Sequence, residues 1–165
     1  MPDYGITVRP GTAADTGIIL SFIRALADYE KLSDSVVATE QALRQHLFGP
    51  RPVAETLIGS VDGLPVGFAL FFQSFSTFLA KPGIYLEDLF VIPSARGKGV
   101  GRALLCYVAR IAAARDCGRL EWAVLTWNDP AIGFYKNLGA VLLEDWKTYR
   151  LTGEALRVLT DGPPI

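Results

Sequence analysis

The sequence predicts a mixed α/β fold, and three observations predict it. Apolar residues recur at helical spacing in several separate stretches. Runs rich in β-branched and aromatic residues stand between those stretches. An Asp62-Gly63 pair divides two such runs, and that dipeptide favours a hairpin turn. Antiparallel strands come early and strand–helix–strand units later, so the class is mixed α/β.

The elements follow in chain order. Ile6–Pro10 ("ITVRP") reads as a short first strand. Thr12 stands three residues before Asp15, the spacing of a capping box, and Ile18, Ile19, Phe22, Leu26 and Tyr29 then continue at helical spacing. A second helix starts near Thr39 and stops at "GPRP". "AETLIGSVDGLPVGFALFFQSF" supplies two strands around the hairpin turn, and the looser "STFLAKPG" leads to a further strand, Ile84–Ile92, with two carboxylates in its middle. A long helix begins near Gly99. Arg119–Trp127 reads as a buried strand. "NDPAIGFYKNLGA" reads as a compact helix with Asp129 as N-cap, Pro130 in the first turn and Gly139 at the C-terminal cap. "DWKTYRL" is expected to be a last strand, and "TGEALRVL" a final turn or short helix.

The bulk properties exclude several classes. The 165 residues suit one domain, 1–165, and at 50% apolar they can build a substantial core. A net charge of −1 gives no general attraction to nucleic acid. No apolar run is long enough to span a membrane. "MPDYGITVRP" lacks a basic region followed by an apolar one, so a cytoplasmic protein is expected. Cys106 and Cys117 read as reduced structural thiols. His46 is the single histidine and has no cysteine pair near it, so no metal site is expected.

The segment "VIPSARGKGVGRALLCYVARIAAAR" carries the first chemical signal. A helix leaves its first amide N–H groups without internal partners, and its dipole favours an anion there. Gly97, Gly99 and Gly101 keep side chains out of the way and permit left-handed backbone. Arg96, Lys98 and Arg102 add positive charge, although Lys98 and Arg102 equally suit a solvated rim. The segment reads as a cradle for a diphosphate. It is not a Walker A loop, since no Gly-Lys-Ser/Thr follows at the required spacing, and it does not supply G-x-G-x-x-G.

With "RPGTAAD", "LADYEKL", "YLEDLFVIPSARGKGVG" and "WNDPAIGFYKNLGA" in order, the chain resembles the GCN5-related N-acetyltransferase (GNAT) superfamily over nearly its whole length. Within it the resemblance is nearest to the diamine, spermidine/spermine and thialysine acetyltransferases. The resemblance implies a central, mostly antiparallel sheet flanked by helices, in which the two parallel strands splay apart to admit the cofactor arm. It implies that the diphosphate is that of acetyl-CoA, held on Gly97, Lys98, Gly99, Val100, Gly101 and Arg102 with Arg96 beside them. The acetyl thioester would run along Leu89, Phe90 and Val91. Asn128 matches a cofactor-binding position, with Asp129, Pro130 and Ala131 in the adjoining turn.

The same resemblance implies two proton carriers. An alkylammonium has a pKa near 10.4, so at neutral pH only about one in a thousand is a free nucleophile. Glu87 matches the position of the base that removes its proton, directly or through water. Alternation along a strand is expected to send the neighbouring Asp88 to the opposite face, leaving it a structural or secondary role. Tyr135 matches the acid that protonates the leaving thiolate, an uphill transfer of about 2 kcal/mol that needs preorganisation. Tyr29, Glu30 and Glu144 match substrate-binding positions. In the segment ahead of the Glu87 strand, where the polyamine enzymes carry an acidic residue, this chain offers Thr77 and Lys81. A smaller negative field suits a small primary amine, either a short diamine or a lysine-like amine, better than a long polycation. The alternatives at this stage are a protein lysine or N-terminal acetyltransferase, which shares the cofactor site, and a non-catalytic acyl-CoA-binding module. The family commonly forms homodimers, and the late apolar segments are compatible with one.

Overall fold

The turn at Asp62-Gly63 sets the register of the sheet. In the computed structural model, which describes residues 5–161, the two turn residues have φ of 50° and 80°. Two successive positive φ values match the right-handed twist of the flanking strands, β2 (Glu55–Val61) and β3 (Leu64–Ser76). β1 (Ile6–Pro10) pairs antiparallel with β2, and β4 (Lys81–Val91) pairs antiparallel with β3. β5 (Leu120–Trp122) adds a parallel edge, giving the order β1-β2-β3-β4-β5. The expected mixed, mostly antiparallel sheet is therefore present. The N-terminal reading of Met1–Tyr4 lies outside the described residues.

Helices cover both faces. α1 (Thr16–Tyr29) and α2 (Glu40–Phe48) bury Ile19, Phe22 and Leu47 against Ile58 of β2, Phe68 of β3 and Phe90 of β4. The rings of Phe22 and Phe68 stack at 5.8 Å. α3 (Val100–Ala114) lies on the other face, where a Cβ on Gly59 would stand 2.9 Å from Val100 Cγ1. Gly59 follows Ile58 directly, and successive strand residues face opposite ways. Glycine at 59 thus lets the helix sit close against the sheet.

Local chemistry fixes the helix starts. The Asp15 carboxylate takes two hydrogen bonds from the Arg9 guanidinium, at 2.7 and 2.8 Å, and accepts the Thr12 N–H and hydroxyl at 2.7 and 2.8 Å. The Arg9 hydrogen bonds are the largest cause holding this buried acid well below the usual carboxylate range, against the opposing effect of burial. This network ties β1 to the 3-10 turn Ala13–Asp15 that leads into α1. At α2 the Thr39 hydroxyl oxygen accepts the Ala42 N–H at 3.2 Å, an N-cap as expected.

The chain divides into two compact units, Met1–Ala123 and Val124–Ile165. The first holds the whole sheet and α1 to α3. The second holds α4 (Asp129–Asn137) and α5 (Gly153–Asp161). Three sequence expectations are corrected. β4 begins at Lys81 rather than Ile84 and ends at Val91, because the tight turn Thr77–Ala80, with Ala80 at φ 49°, lets the β3–β4 ladder close at Ser76 and Lys81. The buried strand expected over Arg119–Trp127 shrinks to three residues, none fully buried. Residues 145–151 form no strand. Aromatic alternation makes a strand only where an edge is available to pair with.

Candidate active site

The decisive local feature is a β-bulge in β4. Leu70 pairs with Asp88, whereas Phe71 pairs with Leu86, so Glu87 is an extra residue opposite no partner. Leu70 and Phe71 are consecutive and face opposite sides of the sheet. Leu86 and Asp88 therefore also face opposite sides, although they are two residues apart. The extra residue cancels one alternation and leaves Asp88 on the face that holds Phe90 and the α1 core. The regular alternation on which the expected divergence of Glu87 and Asp88 rests is therefore broken at Glu87.

Electrostatics agree with that register. Burial, then the charge of Glu87, then that of Glu30 push the Asp88 carboxyl up to about 7. Glu30 follows the last residue of α1 and is itself raised by partial burial. Glu87 itself is exposed. Two carboxylates, Glu30 at the end of α1 and Glu87 in the middle of β4, thus act on Asp88. Beside them the Arg96 guanidinium lies 4.5 Å from the centre of the Tyr29 ring and 5.8 Å from that of Phe90, and its Nε donates to the Val91 carbonyl at 3.0 Å.

The parallel ladder ends early. β5 pairs with β4 only from Ile84↔Leu120 to Leu86↔Trp122, while β4 continues to Val91. Leu89, Phe90 and Val91 lie past the last pair. The chain then enters the 3-10 turn Pro93–Ala95 and the glycine loop. Gly97 and Gly99 have φ of 76° and 97°, and Gly99 is the N-cap of α3. A Cβ at Gly97 would meet nothing within 4 Å, and one at Gly101 only Val91 Cγ2 at 3.8 Å. Packing within the chain does not demand glycine at 101. The amides of Val100, Gly101 and Arg102 open a helix of fifteen residues and have no intrahelical acceptor. These features fit a bound diphosphate.

In the second unit, Asn128 caps α4, its Oδ1 accepting the Ala131 N–H at 3.4 Å. The cap is one residue earlier than the expected Asp129, which takes the first helical position and leaves Pro130 at the second, where its missing N–H costs no helix bond. Tyr135 lies on α4 with its ring 5.2 Å from that of Phe134. The helix ends as expected at Gly139, φ 85°, with the Gly139 and Ala140 N–H groups returning to the Lys136 and Tyr135 carbonyls. Glu144 is exposed in the segment between α4 and α5.

A sequence model of the acetyltransferase (GNAT) family matches residues 21–140. The chain belongs to that family. It is 41% identical to the thialysine N-epsilon-acetyltransferase of Bos taurus over 93% of this chain and 96% of that protein. It is 32% identical to an L-ornithine N5-acetyltransferase of Arabidopsis thaliana, over 92% and 86%. Among solved structures it is similar to an integron cassette protein of V. cholerae, with a TM-score of 0.77 and 30% identity, covering 95% and 98% of the two chains. The protein is an acetyltransferase, and GNAT acetyltransferases use acetyl-CoA.

Asp88 is the group that sequence reasoning undervalued. The signal was present only as a second carboxylate in an apolar run. Its significance depends on the bulge, which is fixed by pairing with β3 rather than by the residues of β4.

Proposed function

We propose that this GNAT acetyltransferase moves the acetyl group of acetyl-CoA to the primary amine of a small molecule, either a short diamine or polyamine, or a lysine-like amine. The observation that carries the proposal is the carboxylate cluster at the bulge, where the charges of Glu87 and Glu30 both act on the partly buried Asp88. A set of carboxylates favours an ammonium and then accepts its proton. The named activities of the thialysine and ornithine relatives support the same choice.

Acetyl-CoA, when bound, supplies the thioester carbonyl that the amine attacks. The amides of Gly97 to Arg102, with Lys98 and Arg102, hold its diphosphate, and Leu89, Phe90 and Val91 orient its arm along β4. Tyr29, Glu30 and Glu144 bind the amine, and Asp88 adds a second carboxylate to the pocket. Glu87 takes the ammonium proton, and Tyr135 gives one to the departing thiolate. Asn128 and the Asp129–Pro130–Ala131 turn complete the cofactor contacts. The family match runs across the boundary at Ala123, which supports one catalytic domain over 1–165. No helix among the described residues is long and apolar enough to cross a membrane. We place the enzyme in the cytoplasm, and exposed Trp146 and Tyr149 support a homodimer.

The test is a panel assay that follows free thiol from acetyl-CoA with diamines, polyamines, thialysine, lysine, ornithine and short peptides. Turnover of the small amines is expected, and Tyr135→Phe should lower kcat by about 10²-fold with little change in CoA affinity. Turnover of peptides alone would overturn the substrate. Retained CoA binding with no turnover of any acceptor would favour a binding module.

A further inference from the structure

Arg96 opens the glycine loop, and by spacing alone it belongs with the phosphate ligands. Its side chain is engaged elsewhere. Nε is committed to the Val91 carbonyl at 3.0 Å, and the guanidinium carbon lies 4.5 Å from the Tyr29 ring centre and 5.8 Å from that of Phe90. A guanidinium beside an aromatic face is held by the ring's negative quadrupole and by stacking.

Tyr29 is the last residue of α1, and the chain turns sharply there. The Glu30, Lys31 and Leu32 N–H groups return to the Leu26, Asp28 and Ala27 carbonyls, and Lys31 adopts φ 60°. The placement of Glu30 therefore depends on where this helix end is held. Phe90, the second ring near the guanidinium, shares its sheet face with Asp88, two residues earlier in β4. One cation thus joins the β4 backbone, the ring that closes α1 and the strand that carries the carboxylates.

We propose that Arg96 is a positioning residue of the amine pocket: it pins Tyr29, and through it Glu30, to the carboxylate-bearing strand, and leaves the diphosphate to the loop amides, Lys98 and Arg102. The proposal rests on the amine-acetyltransferase reading for its kinetic arm only. It differs from a cofactor role in which substrate's affinity it controls.

The experiment compares Arg96→Ala, Arg96→Lys, Tyr29→Leu and Tyr29→Phe in the full chain. It uses steady-state kinetics with the best amine, calorimetric titration with CoA, and amide hydrogen exchange of residues 26–32. Losing the stack should speed exchange of that segment about fivefold in Arg96→Ala and Tyr29→Leu. Tyr29→Phe keeps a ring and should keep the protection. Arg96→Ala should raise the amine KM about tenfold, with CoA affinity moving less than about threefold, and Arg96→Lys should recover part of the loss. A tenfold loss of CoA affinity with exchange and amine KM unchanged would overturn the proposal and make Arg96 a phosphate ligand. Unchanged exchange in Arg96→Ala would overturn it as well. If the parent enzyme turned over no amine, the functional reading would fall, while exchange and CoA titration would still decide the role of Arg96.

Discussion

At the scale of single residues, Asp88 is the group whose chemistry depends most on its surroundings. Burial, Glu87 and Glu30 raise its carboxyl to about 7, so it changes charge near neutral pH. The sign of the consequence follows from linkage. Between about pH 4 and 7 the folded protein holds a proton there that the unfolded chain has lost, so this group makes stability fall as pH rises through that window. The loss is at most about 4 kcal/mol, at about 1.4 kcal/mol per pKa unit. Asp88→Asn removes the slope. Calorimetric melting should therefore show the variant gaining on the parent protein between pH 5 and pH 8. Amine KM should rise in the variant at pH 8, and its dependence on pH near 7 should flatten. A parent-like pH dependence in both measurements would remove Asp88 from the pocket.

At the scale of elements, the signals that proved legible were local ones. Thr12 with Asp15, Thr39 before α2, Asp62-Gly63 and Gly139 each determine a cap or a turn through atoms a few residues apart. The first strand and the first two helices therefore matched their expected positions. The bulge at Glu87, the three-residue β5 and the unpaired 145–151 segment were not legible, because each depends on which edge is available to pair with. The glycine loop lies between these cases. Its left-handed residues could be read from the sequence, whereas the room for a Cβ at Gly101, in ordinary contact with Val91 alone, could not. That space supports a prediction. Gly101→Ala, in the first turn of α3, should leave stability unchanged or raise it by up to about 1 kcal/mol through helix propensity. It should weaken CoA binding about tenfold, the equivalent of one lost charge-assisted hydrogen bond. Equal CoA affinity by titration would show that the loop carries no diphosphate.

At the scale of the whole molecule, the first unit is a sheet with helices on both faces, and its tolerance to change is set by how closely they approach. α3 sits so near the sheet that a methyl group at position 59 would stand 2.9 Å from Val100 Cγ1 and 3.2 Å from Leu104. Val100 begins the helix whose first amides face the proposed diphosphate. Gly59→Ala should cost about 1–3 kcal/mol, read as a lowered melting temperature. It should weaken CoA binding too if the helix start is displaced. The extra residue at Glu87 has another consequence. Deleting Glu87 would restore regular pairing, and Leu86 and Asp88 would keep the opposite faces they already have. Phe90 and Leu86 would both stay buried. A shortened descendant of this gene would therefore keep its scaffold and forfeit one acid beside Asp88.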